Sequence, residues 1–178
     1  MRYYYKIGIG VGLFFLFMMM GCGGKGNNKK VDFYERFYEQ MERISADSPE
    51  HVSRMVDRMI PSVKDSTMYY RLLLLKVRSC FLSFKLDSAS CLLDRVEAFC
   101  EKHAGSPEIS RLYSITYNAR GNIYVRVSQA DSACQCFLKS FQYATQGGNR
   151  QSLPDICLNL ADVYVKQGRY DLGALWYN

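Results

Sequence analysis

Histidine is almost absent from this chain. Its two copies, His51 and His103, lie in polar stretches where a surface position is expected, so imidazole-based catalysis has little to work with. No Ser-His-Asp arrangement, close carboxylate pair or zinc-ligand spacing stands out, so the expectation is a non-enzyme that uses no metal and no cofactor. Acidic residues are missing before residue 31. That segment holds five of the 23 basic residues, and thereafter 18 basic residues face 17 acidic ones. Of the net charge of +6, +5 therefore belongs to the N-terminus, and the near-neutral body lacks the basic footprint of nucleic-acid binding. Four prolines, no Asn-Gly hairpin signal and no long alternating run leave little room for β-structure or general disorder.

What is present begins with a short positive region, Met1-Arg2-Tyr3-Tyr4-Tyr5-Lys6, followed by the uncharged run Ile7 to Met20. A membrane-spanning helix needs about 20 apolar residues, whereas signal-peptide cores run about 7–15. Residues 1–21 are therefore expected to be a signal peptide. Its end, Met19-Met20-Gly21-Cys22, resembles the lipobox of bacterial lipoproteins, with Met19 where Leu is usual. The resemblance implies that Cys22 carries the lipid and becomes the mature N-terminus, which would anchor the protein to a bacterial membrane. Residues 22–30 are rich in Gly, Asn and Lys and read as a flexible tether. Without the acidic export signal seen in some Bacteroidetes lipoproteins, a periplasm-facing orientation is expected. The glycines at positions 8, 10 and 12 precede no Rossmann-like unit and lie inside the apolar core of the leader, so they carry no nucleotide reading.

From Val31 onward the signals are helical. Asp47-Ser48-Pro49-Glu50 and Gly105-Ser106-Pro107-Glu108 each place a capping residue before a first-turn proline and acid. Apolar residues follow three- and four-residue spacings, and helices are expected near 31–45, 49–60, 66–84, 87–103, 107–128, 131–145, 152–167 and from 171 onward. One phrase also repeats. Leu86-Asp87-Ser88-Ala89 is echoed by Ala130-Asp131-Ser132-Ala133 and more loosely by Tyr170-Asp171-Leu172-Gly173, at spacings of 44 and 40 residues. Such a period signals stacked units that bury their apolar faces against neighbours.

Counting back twelve from Ala133 gives Gly121, with Tyr124 three further on; from Gly173 the same count gives Ala161 and Tyr164. With Ala119-Arg120-Gly121-Asn122-Ile123-Tyr124, Phe137 and Phe141, these positions resemble a tetratricopeptide repeat. The repeats are longer than the family's usual unit of about 34 residues, and in this they are similar to helical sensor regions of some bacterial regulators. The resemblance implies an all-α fold, a right-handed superhelical array of antiparallel helix pairs, with a degenerate pair over 31–65 and repeats over 66–178, the last incomplete. It implies a concave groove lined by the first helix of each pair. Transferred residue by residue, the groove positions are Arg71, Leu74 and Arg78; Asn118, Asn122 and Arg126; and Leu158, Asp162 and Lys166.

The function this implies is a lipid-anchored scaffold that binds a peptide or protein partner in its groove without bond chemistry. The alternative is the periplasmic sensory input region of a longer signalling protein, a histidine kinase or a helix-turn-helix regulator. The last pair lacks a polar capping helix, which implies either that longer parent or self-association through the C-terminal repeat. Six cysteines follow Cys22: Cys80, Cys91, Cys100, Cys134, Cys136 and Cys157. Most fall at packing positions for a small hydrophobe, and in an oxidising periplasm one or more disulfides are the alternative. Cys134 and Cys136 are two apart on a helix and face too far apart to share a metal.

Overall fold

Asp65 shows how the helices begin. Its carboxylate accepts the backbone N–H of Met68 at 2.6 Å and caps a helix that opens at Ser66. Ser106 does the same for the N–H of Ile109, just ahead of Pro107. Each side chain satisfies a donor that has no partner within the helix. The computed structural model describes residues 26–177, so the expected signal peptide, Cys22 and the first part of the tether lie outside the described residues.

Eight α-helices occur among the described residues: α1 (Gly26–Ile44), α2 (Pro49–Met59), α3 (Ser66–Leu82), α4 (Leu86–Lys102), α5 (Pro107–Arg126), α6 (Ala130–Gln146), α7 (Leu153–Lys166) and α8 (Tyr170–Tyr177). Short 3-10 turns at Ile60–Ser62 and Arg150–Ser152 complete the regular structure, and no strand is present among the described residues. The all-α expectation holds for them. Helix α1 begins at Gly26, so residues 26–30 are helical where composition suggested a tether. No proline interrupts that segment, and a helix already formed over 31–44 extends backward at little cost.

The chain divides into two units, residues 1–37 and 38–178. In the first, Arg36 pairs with Asp32 one helical turn away. In the second, α2 buries Val52, Met55, Val56 and Met59, a single apolar stripe. Helix α3 buries Leu72, Leu73, Leu74 and Leu75 in succession, which requires cover on several sides. That cover comes from α2, α4 and α5. Helix α5 is placed similarly: it packs along α6 and also touches α3, α4 and α7. Helix α4 instead shows one buried stripe, Ala89, Leu93, Val96 and Cys100, while α6 buries Ala133, Phe137, Ser140 and Ala144 together with Cys134 and Cys136.

The turns that join α3 to α4, α5 to α6 and α7 to α8 are alike. Phe84, Ser128 and Gly168 occupy the left-handed region, with φ of 59°, 61° and 76°. In each turn the next residue donates its N–H five residues back: Lys85 to Cys80 O at 2.8 Å, and Gln129 to Tyr124 O and Arg169 to Tyr164 O at 2.9 Å. The left-handed residue itself bonds three back, to Phe81, Val125 and Val165. These paired bonds form the Schellman closure of a helix C-terminus. Four residues beyond each turn's second residue comes the recurring small residue. Ala89, Ala133 and Gly173 are buried and donate their N–H groups back to the carbonyls of Lys85, Gln129 and Arg169.

Candidate functional site

Helices α3, α5 and α7, which the repeat reading makes the first of each pair, touch one another in order. Of the residues placed there from sequence, Arg78, Arg126, Leu158, Asp162 and Lys166 are exposed, while Asn118 and Asn122 are half-buried. Leu74 does not belong with them. It is 5% exposed within the apolar core that also holds Leu73 and Val77, on a helix packed by three neighbours. The expectation that Leu74 lines the groove is corrected accordingly.

Two of these residues are held by partners that the repeat spacing does not reveal. Asn118 on α5 accepts a hydrogen bond from the side-chain amide of Asn159 on α7 at 3.1 Å, which links neighbouring first helices across the face. Arg126 sets its guanidinium over the rings of Phe81 and Phe84, at 4.2 and 4.4 Å from their centroids. Phe81 ends α3, and Phe84 is the left-handed turn residue, 76% exposed. A bulky side chain at positive φ costs about 1–2 kcal/mol relative to its right-handed alternatives. Each aromatic contact returns about 0.5–1 kcal/mol at an exposed site. A guanidinium carries five N–H donors, so one held over aromatic rings can still meet an acceptor such as a carboxylate.

The remaining positions are less open. Arg71 lies over the ring of Tyr38 at 4.5 Å, and Asp162 accepts the hydroxyl hydrogen of Tyr177 at 2.5 Å. Asn122 is one helical turn before Arg126 on the same side of α5.

Between α4 and α5 the structure adds a polar cluster absent from the sequence reading. Arg120 donates to Asp94 and Glu97, both at 2.8 Å, and Tyr117 donates its hydroxyl to Glu97 at 2.5 Å. Burial works against the Arg120 charge, but the two carboxylates hold its pKa above the ordinary value. Burial, reinforced by the bond to Glu97, also raises the Tyr117 phenol. The only advance signal was the three-residue spacing of Asp94 and Glu97 on one helix face. With each acid serving as an acceptor for a neighbouring helix, the cluster clamps α4 to α5.

All six cysteines among the described residues are free thiols. Burial raises the Cys80, Cys134, Cys136 and Cys157 thiols, and it pushes Cys100 to about 12 with help from Glu97 and Glu101. Raised thiol pKa values suppress the thiolate that nucleophilic or metal chemistry needs. Among the described residues no group of His, Cys, Asp and Glu is arranged to hold a metal ion, and no helix is long and apolar enough to cross a membrane. His51 is half-buried; His103 is exposed, and its Nδ1 lies 2.8 Å from Phe99 O at the end of α4.

No protein-family model, curated protein or solved structure matches this chain.

Proposed function

We propose that the chain is a helical-repeat scaffold of the tetratricopeptide kind that binds an extended peptide segment of a protein partner. The segment lies along the face shared by α3, α5 and α7. Arg126 takes a carboxylate of that segment, and Asn122 bonds its backbone. Arg78 and Lys166 add positive charge on either side, which favours an acidic segment. Cys22 carries a lipid that keeps the scaffold at a bacterial membrane, facing the periplasm.

The observation that carries this reading is Arg126 braced by two aromatic rings, one of them held in an unfavourable backbone conformation. A guanidinium restricted in this way loses less freedom when it binds, which is the benefit of preorganisation. The recurring left-handed turns at Phe84, Ser128 and Gly168 support the repeat assignment.

The test is a screen of displayed random peptides against the full chain and against Asn122→Ala/Arg126→Ala. Acidic sequences should be enriched by the unaltered chain, and the double variant should bind them at least tenfold more weakly with unchanged helical circular dichroism. Equal binding by the double variant would remove this face from consideration. For the anchor, Cys22→Ala should move the protein from the detergent phase to the aqueous phase, and unchanged partitioning would defeat the lipoprotein assignment.

A further inference from the structure

A cleft of about 380 Å³ opens where the α4–α5 turn meets the end of α6, lined in part by Ser106, Pro107, Ser110, Tyr113, Tyr143 and Gln146. It lies apart from the residues assigned to peptide binding. Its volume is within the range of about 300–1,000 Å³ usual for small-molecule sites. No acidic or basic side chain lines it.

Tyr113 gives the cleft its chemistry. The residue is 6% exposed and lines the cleft, and among the described residues its hydroxyl has no hydrogen-bond partner, which leaves it open to whatever fills the cleft. Burial, with Tyr143 as the next contributor, pushes its phenol up to about 12, so it remains a protonated donor at neutral pH. Tyr143 also lines the cleft, and its hydroxyl too is without a hydrogen-bond partner among the described residues. The ring positions are fixed by stacking. Tyr113 and Tyr143 lie 4.5 Å apart between centroids, and Tyr117 lies 5.9 and 5.8 Å from them, all within 16° of parallel. Tyr117 is itself tied to Glu97, so the stack is anchored to α4.

The lining selects among ligand classes. A cation would be desolvated here without a counter-charge, which is costly; for an anion the start of α5 offers little, since Pro107 has no N–H, Ser106 already accepts that of Ile109, and Glu108 lies in the same turn. A wholly apolar ligand would leave the Tyr113 hydroxyl unsatisfied. A sugar meets both conditions, since its ring offers apolar C–H faces to aromatic and proline surfaces and a rim of neutral hydroxyls to donors and acceptors.

We propose that this cleft is a binding site for a neutral saccharide, with the Tyr113 and Tyr143 hydroxyls as its principal hydrogen-bonding groups. Ser110 and Gln146 supply further polar contacts, and Pro107 supplies apolar wall.

The proposal is tested by titrating the full chain with maltose, cellobiose and N,N′-diacetylchitobiose while recording backbone amide NMR shifts. At least one disaccharide should give saturable shifts concentrated at Gly105, Ser106, Ser110 and Gln146. Tyr113→Phe keeps the ring stack but removes the hydroxyl, and it should weaken binding fivefold or more without lowering the melting temperature. Glycerol 3-phosphate, an anionic control, should produce no saturable shift at these amides. The proposal is overturned if none of the three sugars saturates, if glycerol 3-phosphate binds as well as they do, or if both Tyr113→Phe and Tyr143→Phe bind as the unaltered chain does. Asn122→Ala/Arg126→Ala should leave sugar binding intact, so failure of the peptide face and failure of this cleft are read separately.

Discussion

Gly121 touches the fully buried ring of Phe137 so closely that a Cβ would sit 2.5 Å from Cε1. The twelve-residue offset from Ala133 had marked it as a small packing position, and the contact gives the reason: α5 approaches α6 there with no space for a methyl group. Gly121→Ala forces either Phe137 or the helix to move, and overpacking of this kind costs about 1–3 kcal/mol. A melting temperature several degrees lower, with native helical content, is the expected result. A variant that melts with the unaltered protein would mean the two helices slide apart freely. The same scale shows what one-dimensional pattern leaves out. Asp94, Glu97, Tyr117 and Arg120 are spread over 27 residues, and their pairing depends on the angle at which α4 meets α5. Leu74 carries the opposite lesson: its register matched the exposed face, yet the packing of α3 among its neighbours buries it.

At the scale of elements, the three left-handed turns form a natural comparison. Gly168 adopts positive φ freely, whereas Ser128 and Phe84 hold it against their own preference. Ser128→Gly should therefore stabilise the fold by up to about 1 kcal/mol, because Ser128 is exposed and its side chain has no hydrogen-bond partner among the described residues to lose. Phe84→Gly relieves the same strain but removes one ring from Arg126, so its gain in chemical denaturation should be smaller than that of Ser128→Gly. Equal gains in the two variants would show that the Phe84–Arg126 contact contributes nothing. Helix ends were legible beforehand because caps are local: Ser106 with Pro107 needs only adjacent residues. The expected end of α5 near residue 128 falls instead at Arg126, since Ser128 leaves the helical region to close the turn.

At the scale of the whole molecule, buried ionisable groups set the response to alkali. Burial raises the thiols of Cys80, Cys100, Cys134 and Cys136 and the phenols of Tyr113 and Tyr117, so all favour their neutral forms in the folded state. A raised folded pKa contributes stability that is complete below the unfolded value and lost as pH climbs toward the folded value. For Cys100 and Tyr113 those windows run from 9 and 10, respectively, up to about 12. Thermal melts should be level from pH 7 to about 8.5 and fall steadily above pH 9. Tyr113→Phe should show a shallower fall. A melting temperature that holds level to pH 11 would contradict this account.

The sequence by itself determined that the body is helical, where most helices start and stop, and that small residues recur at spacings of 44 and 40. Each of these follows from the neighbours of a residue along one chain: helical periodicity, capping and turn chemistry act over a few positions. Only the tertiary structure decided which side chains meet across helices. It placed Arg126 over Phe81 and Phe84, joined Asn118 to Asn159, buried Leu74, and brought Tyr113 and Tyr143 together at a neutral cleft. Those contacts depend on the relative placement of helices, to which small differences in packing contribute at every interface, and no periodicity within one helix encodes that placement.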